Sequence, residues 1–327
     1  MEKVKVAVIG TGHLGTVHTR LWKANNNVEL VGVFDTDSEK ANKIADDFSC
    51  IAFNTLDELL NNCEAVTIAV PTSLHHEVSL KCIEKGVHCL IEKPIASDYI
   101  EATEIISKAK QKNVLIQVGH VERFNPALTS LKRYNMEPKF IEAHRLSQFK
   151  PRATDVSVIH DLMIHDIDIM LWLINSKVSK IDANGVAILT DNPDIANARI
   201  TFENGAVANL TASRISARPM RKMRIFQKDA YISIDFGNQD VEVFRIMGED
   251  ESGKDNAIPA AMLGTIELGI RNKKIVYEKP HIFEGNAIAD EQNAFADAIT
   301  NKANAAVSAE EAAEALRIAE MIQNLIV

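Results

Sequence analysis

Residues 3–16 read KVKVAVIGTGHLGT, an apolar run that leads directly into three closely spaced glycines. The apolar residues over 3–9 are typical of a buried β-strand, and the residues after the glycines have the pattern of a helix. Gly10, Gly12 and Gly15 give the spacing G-x-G-x-x-G between the two. A strand, a glycine turn and a helix in this order predict the first unit of a doubly wound, dinucleotide-binding sheet.

The glycines and the first helical residues have separate roles in such a turn. Gly10 permits the tight turn, Gly12 lets the backbone approach a pyrophosphate, and Gly15 lets the helix pack on the strand. His13 and Leu14 open the helix, whose free N–H groups attract phosphate. We therefore expect these five residues to contact a dinucleotide cofactor.

An acidic residue, Asp35, ends the second predicted strand, twenty residues after Gly15. An acid at this position can accept hydrogen bonds from the adenosine ribose hydroxyls. Its negative charge disfavours a 2′-phosphate, and the string DTDS over 35–38 has no Arg to bind one. The sequence therefore predicts NAD rather than NADP as the cofactor.

The chain divides into two parts by its pattern of predicted elements. Strands alternate with helices up to residue 119, which predicts an α/β Rossmann domain with a doubly wound parallel sheet over 1–122. After Pro126 the alternation stops, and strand-like runs follow one another. We expect an α+β domain over 123–327 with a mostly antiparallel, open sheet, in which 248–268 is an irregular excursion.

Composition limits the classes of function. The 327 residues suffice for two domains, and the formal net charge of −9 argues against nucleic acid and anionic membranes as partners. No apolar run is long enough for a membrane span, and the strand pattern at the N-terminus leaves no room for a signal peptide. The four cysteines lack metal-site spacing, which favours a reducing, cytoplasmic location.

A second informative segment, residues 158–173, reads VIHDLMIHDIDIMLWL. It is long and apolar enough for a buried helix, yet Asp161, His165 and Asp168 follow the spacing i, i+4, i+7 and would share one face. Such a polar stripe must be paired or must line a cavity. A satisfied core network or a solvated helix face is the alternative interpretation.

The same segment raises the possibility of a metal hydrolase that uses His160, Asp161, His165 and Asp166. His160 and His165 are five residues apart, which separates them by about 140° around a helix. They cannot easily share one ion, so we predict no metal site.

Four motifs in order resemble the Gfo/Idh/MocA family of nicotinamide-dependent oxidoreductases. They are GTGHLG with Asp35, then EKP at 92–94, HVERFNP at 120–126 and DLMIHDIDI at 161–169. Within the family, DLMIHDIDI, GHVERFNPA and ANLTASRIS are most similar to members that oxidise UDP-N-acetylglucosamine at C3. The resemblance implies an NAD-dependent oxidoreductase. It would transfer hydride between the nicotinamide and a secondary hydroxyl of a sugar, and that sugar would be part of a nucleotide sugar.

The resemblance also implies roles for individual residues. Lys93 would lie beside the nicotinamide and bond the reacting hydroxyl, His165 would accept its proton, and Asp161 would orient the substrate. Further cofactor contacts would come from Glu92, Lys93, Pro71, Thr72 and His75. Many members carry glycines just before the Asp of the helix motif, whereas this chain has VSVIH over 156–160. We therefore expect a differently shaped loop there.

Arginine side chains are candidates for substrate binding. Arg123 matches the family's R-F-x-P position at the domain junction. Arg152 and Arg214 belong to a basic concentration in an otherwise acidic chain, and guanidinium groups suit phosphate oxygens. We hypothesise that both hold a substrate diphosphate. Alternatively, these arginines are solvated charges on an edge strand and prevent aggregation through that edge.

Two rival functions remain open from the sequence. One is a free-sugar, inositol or other polyol dehydrogenase of the same family. The other is a non-catalytic NAD-binding sensor, which would bind the cofactor without turnover. By analogy with the family, we also expect a homo-oligomer formed through the sheet of the second domain.

Overall fold

The structure, a computed structural model, describes residues 3–149, 156–246, 260–268 and 271–326. The chain folds into two compact units, Met1–Val121 with Asn286–Glu320 and Glu122–Gly285 with Met321–Val327. None of the helices within the described residues combines the length and the hydropathy that a bilayer crossing requires.

A six-stranded sheet forms the centre of the first unit. Its strands are Val4–Ile9 (β1), Val28–Phe34 (β2), Ile51–Ala52 (β3), Ala65–Ile68 (β4), His88–Glu92 (β5) and Ile116–Gly119 (β6). They lie in the order β3-β2-β1-β4-β5-β6, and every neighbouring pair is parallel. This confirms the predicted doubly wound sheet, whose order reverses between β1 and β4.

Helices cover this sheet because each crossover between parallel strands needs a long connection. The first five are His13–Ala24 (α1), Ser38–Phe48 (α2), Leu56–Leu60 (α3), His75–Glu84 (α4) and Tyr99–Lys112 (α5). Trp22 of α1 is fully buried and packs in one apolar cluster with Val6 and Val8 of β1. The glycine turn directly follows β1. Because the strands are parallel, the turn lies at the edge of the sheet where the strands have their carboxyl ends.

The second unit contains a nine-stranded sheet. Its strands are Phe140–Leu146 (β7), Val178–Val186 (β8), Ile195–Phe202 (β9), Val207–Ser213 (β10), Met220–Phe226 (β11), Ala230–Asp235 (β12), Asp240–Ile246 (β13), Ala260–Leu268 (β14) and Arg271–Glu278 (β15). The order is β14-β15-β13-β12-β11-β7-β10-β9-β8, and all pairs are antiparallel except β7 with β10. The mostly antiparallel, open sheet is therefore confirmed.

One interpretation of the sequence was wrong for part of this sheet. Residues 248–268 do not form an irregular excursion throughout, because 260–268 is the strand β14, paired with β15. The pairing register shifts between Met262 and Thr265, so the strand does not follow one regular pattern.

Two helical segments accompany the second sheet. Pro126–Thr129 (α6) is short, and Ile164–Ile174 (α7) packs against β7 and β10. The sequence predicted one continuous α-helix from residue 158, whereas Ile159–Met163 is a π-helical turn that precedes α7. A π-helical turn inserts an extra residue per turn, and such turns are frequent at functional sites.

The two C-terminal helices, Ala287–Thr300 (α8) and Ala309–Ile326 (α9), return to the first unit for most of their length. Phe295 of α8 is fully buried in the same cluster as β1. A capping box starts α9: the backbone N–H of Ser308 donates to the Glu311 carboxylate at 2.9 Å, and the N–H of Glu311 donates to the Ser308 hydroxyl at 3.2 Å.

Candidate functional site

The glycine turn has the geometry that a bound dinucleotide requires. Gly10 has a φ of +91°, and a Cβ there would lie 2.6 Å from the Ala69 carbonyl oxygen. A Cβ on Gly15 would lie 1.8 Å from the Gly10 carbonyl oxygen, whereas one on Gly12 would meet no atom within 4 Å. Gly10 and Gly15 are thus required by the fold, and the backbone at Gly12 faces open space.

The N-terminal end of α1 is exposed, and it carries the positive end of the helix dipole. Gly12 is the N-cap and offers no side chain, the first turn has no acidic residue, and His13 and Leu14 are exposed. The unpaired N–H groups of such a turn attract phosphate. With the open backbone at Gly12, these residues fit the pyrophosphate of NAD.

Asp35 follows β2 and is oriented by its neighbours. One of its oxygens accepts hydrogen bonds from the Thr11 N–H at 2.6 Å and from the Thr11 hydroxyl at 2.8 Å, and the other accepts from the Asp37 N–H at 2.9 Å. Burial raises the pKa of Asp35, but these bonds outweigh it and hold the pKa below its ordinary value. The carboxylate is therefore charged, as binding of ribose hydroxyls requires. No sequence pattern pointed to Thr11.

Three further predicted cofactor residues follow β4. Pro71 is exposed and Thr72 is partly buried. The His75 ring is buried, and its two nitrogens lie 2.8 Å from the Pro94 carbonyl oxygen and 3.0 Å from the Val70 carbonyl oxygen. His75 thus links the loops after β4 and β5 and can act on a cofactor only through them.

Glu92 and Lys93 lie at the end of β5. Lys93 is partly buried, and the Glu92 carboxylate lies 2.8 Å from Nε2 of His18, a fully buried residue of α1. Burial raises the pKa of Glu92, but the hydrogen bond and electrostatic interaction with His18, with smaller contributions from the charge and backbone N–H of Lys93, lower it below its ordinary value.

These residues share one edge of the first sheet. Each lies just after the C-terminal end of a strand: the glycine turn after β1, Asp35 after β2, Pro71 after β4 and Lys93 after β5. In open parallel sheets, ligands bind at this edge, beside the point where the strand order reverses. The first unit thus places the predicted cofactor residues at one edge of its sheet.

In the second unit, Asp161 lies in the π-helical turn and His165 in the first turn of α7. Both side chains are partly buried. The Asp161 N–H donates to the Ser157 carbonyl oxygen at 3.0 Å, which fixes the start of the turn. Asp161 and His165 therefore occupy one rigid segment, about one turn apart.

Asp168 does not belong with these two groups. It is 1% exposed and accepts two hydrogen bonds from Arg123, at 2.6 and 2.8 Å. The same guanidinium lies 5.6 Å from the centre of the Trp172 ring. The predicted stripe thus divides, and Arg123 supports α7 from the buried side.

A second buried ion pair supports the same helix, and sequence reasoning missed it. Arg145 of β7 makes two hydrogen bonds to Asp166, at 2.9 and 3.0 Å, and one to Glu122 at 2.8 Å. Burial lowers the pKa of Arg145, but the two carboxylates raise it above its ordinary value overall. Arg145 is thus a charged anchor for the residue that follows His165.

The two arginines proposed for the diphosphate are in different situations. Arg152 lies outside the described residues. Arg214 is 6% exposed, and its guanidinium donates to the Val156 carbonyl oxygen and lies 3.9 Å from Asp194. Arg214 therefore holds the backbone immediately before the π-helical turn.

Grouped metal ligands are not found within the described parts of the chain, where no three His, Cys, Asp or Glu side chains are suitably close. Asp166, one candidate ligand from the sequence, is instead paired with Arg145.

Comparison with known proteins agrees with this arrangement. Residues 4–120 match the oxidoreductase family Gfo/Idh/MocA with an NAD-binding Rossmann fold, and residues 129–233 match the family's C-terminal domain. Over 92% of its length the chain is 38% identical to UDP-N-acetylglucosamine 3-dehydrogenase of Acidithiobacillus ferrooxidans, of which it covers 94%. A scyllo-inositol 2-dehydrogenase (NAD(+)) of Bacillus subtilis is 28% identical over 66% of this chain and 68% of that protein.

A solved structure is similar over the full length. That structure, UDP-N-acetylglucosamine 3-dehydrogenase from Acidithiobacillus ferrooxidans, superposes with a TM-score of 0.88 and 34% identity, covering 100% of this chain and 98% of its own. The glycine turn, the two-sheet fold and these matches lead to one conclusion. The chain belongs to the Gfo/Idh/MocA family of NAD-binding oxidoreductases.

Proposed function

We propose that this chain is an NAD-dependent dehydrogenase that oxidises the C3 hydroxyl of UDP-N-acetylglucosamine or a closely similar nucleotide sugar. The observation that carries the proposal is the 38% identity to UDP-N-acetylglucosamine 3-dehydrogenase, which extends over both units rather than the Rossmann part alone. Similarity to the inositol dehydrogenase is lower and covers less of the chain.

The chemistry requires a hydride acceptor, a proton acceptor and a group that stabilises the oxygen. NAD, when bound at the glycine turn and Asp35, supplies the hydride acceptor. We propose that His165 takes the hydroxyl proton, which a neutral imidazole can do near neutral pH. The carbon–hydrogen bond breaks with its electron pair as the carbonyl forms, so the products are a 3-oxo sugar, NADH and a proton on His165.

Lys93 and Asp161 complete the proposed set. The ammonium group of Lys93 would stabilise the alkoxide as the proton leaves, an interaction that is strongest where water is excluded. Asp161 would accept a hydrogen bond from a neighbouring sugar hydroxyl and orient the ring. The partial burial of Lys93, Asp161 and His165 supports these roles, because each group is supported by protein and still accessible.

In this proposal, arginine residues bind the diphosphate of the nucleotide sugar. Arg152 is the direct candidate, and Arg214 would act through the backbone that it holds at Val156. We expect Arg152→Ala to raise the KM for UDP-N-acetylglucosamine about tenfold or more, as loss of a charge-assisted bond predicts. An unchanged KM in this variant would remove Arg152 from the site.

A substrate panel tests the function directly. We expect NADH absorbance to rise with UDP-N-acetylglucosamine and NAD, and much more slowly with N-acetylglucosamine, hexoses, myo-inositol or scyllo-inositol. Faster turnover of an inositol or a free sugar would replace the proposed substrate class. Binding of NADH with no turnover of any substrate would indicate a sensor instead.

We also propose that the second sheet mediates self-association. A row of aromatic side chains crosses five of its nine strands, β7, β11, β12, β13 and β15, with neighbouring ring centres 4.9 to 5.7 Å apart. The row consists of Phe140, Phe226, Tyr231, Phe244 and Tyr277. Phe226 is 37% exposed, and a contiguous apolar surface of this kind commonly marks an interface.

Sedimentation velocity measures this self-association. We expect a dimer or larger assembly for the wild type and a shift towards monomer for Phe226→Asp. A monomeric wild type at micromolar concentration would contradict the proposal.

A further inference from the structure

A buried hydrogen-bond chain in the first unit connects α8 to the residue before Lys93. The side-chain nitrogen of Gln292 lies 3.0 Å from Nδ1 of His18 and 3.1 Å from the His18 carbonyl oxygen. Nε2 of His18 lies 2.8 Å from the Glu92 carboxylate. His18 and Gln292 are at most 1% exposed, so water does not compete for these bonds.

The contacts of Gln292 determine which nitrogen of His18 carries the proton. A carbonyl oxygen only accepts, so the Gln292 atom that faces the His18 carbonyl must be the N–H donor. The same amide nitrogen therefore also donates to Nδ1, which must be unprotonated. The His18 ring then carries its proton on Nε2 and donates it to Glu92. A second proton, on Nδ1, would point at the amide N–H of Gln292.

The orientation of Glu92 follows from this hydrogen bond, because Nε2 of His18 holds one oxygen of the carboxylate at 2.8 Å. One Glu92 oxygen also accepts from the backbone N–H of Lys93, at 3.3 Å. Glu92 is thus a fixed carboxylate at the base of the Lys93 side chain.

Two other titratable groups lie near Glu92. Burial raises the pKa of Glu291 on α8 well above its ordinary value, and the charge of Glu92 adds to this. Burial lowers the pKa of His75, whose ring is held by the Pro94 and Val70 carbonyl oxygens rather than by Glu92.

We propose that Gln292, acting through His18, is a positioning residue for Lys93. By donating to Nδ1, it fixes His18 as an Nε2 donor to Glu92 and so orients the carboxylate at the base of the Lys93 side chain. The inference rests on the role proposed for Lys93. It assigns to α8, a helix more than 190 residues away along the chain, a part in positioning that lysine.

The test combines ¹⁵N NMR of the histidine rings with steady-state rates for the full chain. In the wild type we expect the proton of His18 on Nε2 and an acceptor at Nδ1. In Gln292→Leu the restraint on Nδ1 is lost, so the ¹⁵N signals of His18 should no longer show this single form. Because Glu92 then loses its fixed donor, kcat should fall about tenfold, while the Kd for NADH stays constant.

Gln117→Leu is the matched control. Gln117 is a glutamine with no exposed area; it donates to the Glu291 carbonyl oxygen at 2.9 Å and accepts from the Ala306 N–H at 3.2 Å. It therefore holds the same helix without touching His18. We expect Gln117→Leu to lose stability as Gln292→Leu does, yet to keep the wild-type His18 signal and kcat.

Substitution of His18 itself gives an independent check. Glutamine can place an N–H donor near the position of Nε2, so His18→Gln should keep most of kcat, whereas His18→Leu should lose about 10- to 100-fold. A wild-type His18 protonated on Nδ1, or an unchanged kcat in Gln292→Leu, would overturn the inference. Normal turnover in Lys93→Met would instead overturn the proposed function, whatever the state of His18.

Discussion

Replacing His165 with asparagine should lower kcat for UDP-N-acetylglucosamine oxidation by about 10²- to 10⁴-fold, the usual contribution of a general base. KM should change little, because proton transfer is an interaction of the transition state rather than of the bound substrate. Steady-state NADH absorbance measures both parameters, and NADH fluorescence verifies that the cofactor still binds.

The matched control for this variant is His76→Asn. His76 of α4 is a partly exposed histidine whose Nε2 lies 3.0 Å from the Glu104 carboxylate, and no catalytic role is proposed for it. We expect its kcat to equal that of the wild type. A His165→Asn enzyme with near-normal kcat would mean that another group accepts the proton.

Replacing Asp166 with asparagine should destabilise the protein by about 3–5 kcal/mol, the usual cost of breaking a buried ion pair. Arg145 is 4% exposed and, among the residues that the structure describes, would keep only Glu122 as its charged hydrogen-bond partner. Its remaining charge would be poorly compensated inside the unit. Urea or guanidinium unfolding followed by circular dichroism measures the difference.

Two further variants separate charge burial from other effects. Glu77→Gln breaks the exposed pair between Glu77 and Lys81 on α4 and should change stability little, because solvent screens such pairs. The double variant Arg145→Met/Asp166→Leu removes both charges and should recover part of the loss. A loss for Asp166→Asn no larger than that for Glu77→Gln would show that the buried pair does not anchor α7.

The Rossmann unit could be predicted from the sequence because its signals are local. The turn with Gly10 and Gly15 requires glycine for reasons that depend on a few neighbouring atoms, and Asp35 follows its strand directly. Short strands that alternate with helices are connected by right-handed crossovers, so the alternation indicates a doubly wound parallel sheet. The capping box at Ser308 is equally local.

Features that depend on contacts between distant segments could not be predicted in this way. Nothing in the periodicity of β7 and β10 indicates that they pair in parallel while their neighbours do not. The π-helical turn before α7 interrupts a pattern that one continuous α-helix would satisfy as well. Amphipathic patterning also cannot say which sheet α8 will cover.

The candidate site shows the same limit. The sequence could single out Asp161, His165 and Lys93 as candidates because their side chains stand out in apolar or strand-end positions. His18 and Gln292, 274 residues apart, look like ordinary helix residues, and only the folded chain brings them into contact. Pairings across long sequence separations are set by tertiary packing, which single-sequence patterns do not encode.

A double-mutant cycle measures most directly whether Lys93 and His165 act on one hydroxyl. The rate of hydride transfer in a single turnover would be compared in wild type, Lys93→Met, His165→Asn and the double variant, with UDP-N-acetylglucosamine and saturating NAD. We predict that both single variants are slow. The double variant should be within about threefold of the slower single variant, because the effects of residues that act as a unit are not additive. Losses that multiply in the double variant, or a normal rate in either single variant, would contradict a shared reacting group.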